Sequence, residues 1–110
     1  HVEVQYTARA GEALVTAFGT PEGKAFGLIV GAPAAIGVVM ADTAVKSANV
    51  DVVGYRSPSS SAMSNEVILQ ISGDSGAVKQ AVKAARDVGL ALLETMGDRP
   101  KNKGNAYIIY

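Results

Sequence analysis

Apolar and polar residues alternate at the start of the chain and change to helical spacing soon after. In HVEVQYT, Val2, Val4 and Tyr6 fall on one side and Glu3, Gln5 and Thr7 on the other, the two-residue period of a half-buried strand. ARAGEALVTAFG then places Ala10, Ala13, Leu14, Ala17 and Phe18 at helical spacing, and Gly19 suits the residue that closes a helix. TPEG reads as a turn. A second strand, KAFGLIV, runs into GAP, where Pro33 fits the first helical turn because its missing N–H costs nothing there. The glycines of this strand and turn predict a tight junction between strand and helix.

The next helix, about Ala34 to Ala48, carries two charges only, Asp42 and Lys46, an i,i+4 pair on one edge. A helix that is apolar nearly all round buries more than one side. In a domain this small, the second side predicts contact with another subunit or domain. Asn49 is expected to end the helix in the left-handed conformation. VDVVGY is a third strand, RSPSSSAMSN a polar loop and EVILQISG a fourth strand. Gly73-Asp74-Ser75 opens a long helix to about Met96, with Asp74 or Ser75 as its cap. Its stripe of Ala77, Val78, Ala81, Val82, Ala85, Val88 and Leu92 predicts a core face, while Lys79, Gln80, Lys83, Arg86 and Asp87 point outward. From about residue 98 to 110 the chain is polar and basic, then apolar; Ala106 to Tyr110 fits either a docked last strand or an incidental apolar run. The order β-α-β-α-β-β-α predicts an α+β, ferredoxin-like layer, a four-stranded antiparallel or mixed sheet with helices on one face.

Composition narrows the function classes. The 110 residues fit one domain spanning 1–110, large enough to bury a core without staples. With no cysteine there is no disulfide framework, which favours a cytosolic over a secreted setting. The chain starts at His1 rather than at a methionine, which predicts a piece of a longer protein. Ten basic and ten acidic residues cancel, so no global field draws the domain to nucleic acid or an anionic membrane. No uninterrupted run of apolar residues predicts a membrane span. Hydrophobic residues make up 48% and charged residues only 18%, sparse cover for the surface of a small monomer, so an oligomer is expected.

The chemistry-bearing patterns are few. Gly27, Gly31 and Gly37 lack the spacing of a dinucleotide fingerprint, GAPAAIG lacks the Lys-Ser/Thr of a phosphate loop, and Asp51 stands too early in its strand to bind a ribose. The one histidine, His1, has no nucleophile paired with it, and no cluster has metal-ligand spacing, so no catalytic residue, cofactor or metal is predicted. Asp74 is better taken as a cap and Asp42 as the partner of Lys46. The segment Ser57, Pro58, Ser59, Ser60, Ser61, Ala62, Met63 and Ser64 is either a solvated loop or the lining of a polar aperture, where hydroxyls donate and accept without imposing charge. Lys46 either answers the helix dipole or lies along a neighbour and donates to its backbone carbonyls.

Two long motifs then narrow the choice. ADTAVKSANVDVVGY followed by SGDSGAVKQAVKAARDVG resembles the shell domain of bacterial microcompartments, over about residues 25 to 97. The strand and helix of HVEVQYTARAGEALVTAFG stand in front of that region, which looks like the circularly permuted form, similar to the second half of tandem-domain shell proteins of propanediol- or ethanol-utilising compartments. The resemblance implies a structural protein, not an enzyme. It implies trimers of tandem chains, or hexamers of single domains, that tile laterally with other shell proteins in the bacterial cytoplasm. Encapsulated enzymes and small polar metabolites would be its further partners. Lys46 and Asn49 match the tile-edge pair, with Lys46 expected to meet its two-fold mate on the next tile. Ser57 to Ser64 takes the place of the pore loop, but is longer and more serine-rich than the usual Gly-Ser-Gly type, which leaves a central pore and a smaller channel within a subunit both open. An edge arginine of the family is not carried over to Arg99. A different class, a ferredoxin-like oligomeric regulator binding a small ligand between subunits, would fit the same fold.

Overall fold

The computed structural model describes residues 1–57 and 65–96. Strand β1 (Val2–Thr7) is followed by helix α1 (Glu12–Phe18), strand β2 (Ala25–Gly31), helix α2 (Ala34–Ser47), strands β3 (Asp51–Arg56) and β4 (Val67–Gly73), and helix α3 (Ser75–Thr95). The strands form one antiparallel sheet in the order β1-β2-β4-β3, so the expected α+β layer is found with no parallel pair among the described residues.

Register explains which side chains form the core. Val4, Ile29 and Leu69 lie in one row across β1, β2 and β4, and Tyr6, Gly27 and Ile71 in the next. Side chains of paired residues share a face, so these rows present a continuous apolar surface to the helices. Helix α2 contributes Ile36, Met40, Ala41 and Ala44 against it, and α3 contributes Val78, Ala81, Val82, Ala85 and Leu93. The core stripe of α3 thus includes Gly89 and Leu93, which the sequence reading missed, while Ala77, Val88 and Leu92 are only half-buried. Tyr6 ties the layers together, its hydroxyl donating to the Ser75 carbonyl at 3.1 Å.

The glycines of the opening junction are packing residues. A Cβ added at Gly37 would lie 2.6 Å from the Gly31 carbonyl oxygen and 2.5 Å from Val67 Cβ. Helix α2 therefore rests directly on the backbone of β2. Pro33 is the N-cap of α2 with extended backbone, one residue before the helix rather than inside its first turn. Asp74 is the N-cap of α3 by position, but its carboxylate makes no capping hydrogen bond; it acts there as a negative charge at the positive end of the helix.

The helices do not all share one face. Phe26 points away from α2 and α3, because its neighbours Ala25 and Gly27 point toward them, and it stacks on Phe18 of α1 with ring centroids 5.1 Å apart. The short α1 lies on the second face of the sheet. It ends at Gly19, whose φ of 69° is the left-handed conformation expected there and whose N–H donates to the Val15 carbonyl at 2.9 Å.

Candidate assembly edge

The last four carbonyls of an α-helix have no partner within it. In α2, side chains satisfy two of them. Ser47 Oγ donates to the Ala44 carbonyl at 3.0 Å, and Gln80 Nε2 reaches across from α3 to the Ser47 carbonyl at 2.6 Å. The chain then extends at Ala48, with φ −157° and ψ 160°. Among the described residues no non-glycine has a positive φ, so Asn49 is not left-handed, contrary to expectation. The physical reason is that the chain has already left the helix at Ala48, whose extended backbone carries it away before Asn49 could close the last turn. Beyond the turn, the Asn49–Val50 backbone passes Gly73, the last residue of β4, at van der Waals distance from where a Cβ would stand.

This geometry presents Lys46 outward in the last turn of α2. Its Nζ lies 2.9 Å from Asp42 Oδ2, and the two side chains are 74% and 55% exposed. The i,i+4 pair expected from spacing is formed; at such exposure it contributes about 0.3–0.5 kcal/mol. Val38 and Val45 lie on the same exposed face at helical spacing, and Val39 beside it. The opposite face of α2 holds the buried Ile36, Met40 and Ala44. Helix α2 is therefore apolar on both sides, with one ion pair at its outer end. A lysine there can lay its stem along a neighbouring surface and donate up to three hydrogen bonds from its head.

The serine-rich loop joins β3 to β4 at the opposite end of β3 from Asn49. Ser57 is half-buried directly after Arg56, while Pro58, Ser59, Ser60, Ser61, Ala62, Met63 and Ser64 lie outside the described residues, as do Arg99 and the segment Ala106 to Tyr110. The six residues of β3 set the two places about 20 Å apart, so edge and loop are separate regions. On the second face of the sheet, beside this end of β3, a cleft of about 550 Å³ opens between Phe18 of α1 and Leu28, Val30 and Ile68, with Tyr55 and Arg56 also lining it. Among the described residues, no group of His, Cys, Asp and Glu could hold a metal ion, and no helix is long and apolar enough to cross a membrane.

Gln80 is exposed, as its place on the outward face of α3 predicts, but sequence reasoning missed the bond it makes to α2. Its partner is 33 residues away, and no periodicity couples positions so far apart. The only local sign was that Gln80 is an uncharged polar residue among the cations Lys79, Lys83 and Arg86.

With fold and edge in place, residues 25–97 match the family described as BMC domain, and the chain belongs to that family. Strand β1 and helix α1 precede the matched region, as circular permutation requires. At closer range, the chain is 62% identical over 109 residues to the bacterial microcompartment shell protein PduB of Salmonella typhimurium, covering 98% of this chain and 40% of that protein. The crystal structure of a trimeric bacterial microcompartment shell protein PduB superposes with a TM-score of 0.87 at 53% identity, covering 98% of this chain and 48% of that one. EtuB from Clostridium kluyveri superposes with a TM-score of 0.89 at 47% identity, covering 97% and 48%. The chain spans about two fifths to a half of the length of these relatives.

Proposed function

We propose that this domain is a structural tile of a bacterial microcompartment shell rather than an enzyme. Placed in a tandem chain, as the length of its relatives favours, it would form half of a pseudohexagonal trimer; alone, it would form a hexamer. Closed rings of this kind associate laterally through symmetric contacts into sheets, with other shell proteins, around encapsulated enzymes in the bacterial cytoplasm. Lys46 and Asn49 form the lateral contact. Lys46 lies along the adjoining tile and donates to backbone carbonyls there. The segment Ser57 to Ser64 lines an opening through which small polar metabolites pass, its hydroxyls providing hydrogen bonds without a charge barrier.

One observation carries the reading: α2 buries one apolar face, exposes Val38, Val39 and Val45 on the other, and ends in an outward Lys46. A solitary domain gains nothing from that exposed apolar face. Membership in the BMC domain family, and relatives described as microcompartment shell proteins, support the same role.

The test is the charge reversal Lys46→Asp in the full-length chain. Rings of unchanged size by analytical ultracentrifugation, with lateral sheets abolished, are expected. Sheets that still form at the wild-type concentration would remove Lys46 from the tile edge. Discrete oligomers with a saturable small ligand and no lateral growth would favour the ligand-binding regulator instead.

A further inference from the structure

We propose that Gln80 is a positioning residue for the assembly edge: by donating from α3 to the Ser47 carbonyl, its side-chain amide fixes the last turn of α2 and the directions in which Lys46 and Asn49 leave the domain. The inference rests on the shell-tile reading above, and names a residue outside the contact itself.

Within that turn the buried anchor is small, and Ala48 and Val50 pack on the core just beyond it. Of its residues only Ala44 is buried, and a methyl group fills too little volume to hold a helix end; Val45 and Lys46 are exposed and Ser47 is half-buried. The Ser47 hydroxyl is spent on the turn itself, on the Ala44 carbonyl. The Gln80 amide, at 2.6 Å, makes a hydrogen bond that joins the end of α2 to another element. It closes a path through α2, β3, β4 and α3 over 33 residues, so it constrains where α2 stops relative to the sheet. Gly73 completes the seat from the other side, where the Asn49–Val50 backbone passes without a side chain between.

The chemistry of glutamine suits the task. Its amide donates to a carbonyl while remaining neutral, so it adds no charge beside the helix end that carries Lys46. A glutamate has the same shape, but at neutral pH it offers only acceptors, and would turn lone pairs toward the Ser47 carbonyl. A lysine has similar reach and keeps a donor.

The experiment compares Gln80→Glu, Gln80→Lys and Lys46→Ala in the full-length chain. Three quantities are read: ring size by sedimentation, the critical concentration for sheets by pelleting and electron microscopy, and hydrogen exchange of the peptide spanning residues 44–50 in dispersed rings. For Gln80→Glu the expected result is intact rings, faster exchange in that peptide, and a critical concentration raised on the order of five-fold, the factor one net hydrogen bond represents. Gln80→Lys should return exchange and assembly toward wild type. Unchanged exchange and assembly in Gln80→Glu, with Lys46→Ala abolishing sheets, would overturn the role of Gln80 while leaving the tile edge standing. Loss of the rings in Gln80→Glu would also overturn it, since Gln80 would then serve the ring. Sheets unaffected by Lys46→Ala would sink the edge reading itself, a separate outcome.

Discussion

Gly37 and Gly76 are both helical glycines, and their surroundings decide opposite outcomes for the same substitution. At Gly37 an alanine methyl meets the Gly31 carbonyl oxygen and Val67 Cβ, atoms that no side-chain rotation can move away. Replacing glycine by alanine within a helix gains up to about 1 kcal/mol in propensity. Forcing extra volume into a packed core costs about 1–3 kcal/mol, so the steric term wins. Gly37→Ala is expected to lower stability by a net of up to about 2 kcal/mol, read as a fall in the urea midpoint at constant slope. At Gly76, in the first turn of α3, nothing lies within 4 Å of an added Cβ. Gly76→Ala should raise stability by a few tenths to about 1 kcal/mol, because only the entropy of the unfolded chain changes. A stabilised Gly37→Ala, or a destabilised Gly76→Ala, would contradict the packing described here.

At the scale of elements, the proposed tile edge would separate stability from assembly within α2. Its inner face builds the core, whereas Asp42 and Lys46 sit on the outer face in an exposed pair of small energetic weight. Lys46→Ala should therefore leave the thermal midpoint within the span of about 0.5 kcal/mol, while abolishing lateral sheets. A large fall in the midpoint would mean that Lys46 serves the fold. The order of elements was legible because each pattern is local: alternation in β1, the i,i+4 pair of α2, the apolar stripe of α3. The candidate edge was legible at Lys46 and Asn49 only through the long ADTAVKSANVDVVGY motif, since spacing alone left Lys46 between a dipole partner and a contact. Three features escaped. The side on which α1 packs depends on Phe18 meeting Phe26, and a seven-residue helix with no buried residue leaves no pattern to show it. Asn49 is not left-handed because Ala48 leaves the helix one residue earlier, and the bond from Gln80 to the Ser47 carbonyl spans 33 residues, beyond the reach of any local pattern.

For the whole molecule, the question is where the apolar surface goes. Hydrophobic residues are 48% of the sequence, and the described core leaves Val38, Val39, Val45, Val52 and Tyr55 exposed. The first three share one side of α2; Val52 and Tyr55 belong to β3, an outer strand of the sheet. Outer strands and bare helix faces are surfaces that soluble proteins ordinarily cover. Ring closure and lateral tiling would cover them, and the half-length match to the relatives leaves room for a second domain to share the task. Electron microscopy of the concentrated full-length protein at low salt, in negative stain, is the most direct measurement. Six-lobed rings packed hexagonally into sheets or tubes are the predicted result. Discrete particles with no lateral order, at every concentration up to the solubility limit, would contradict it.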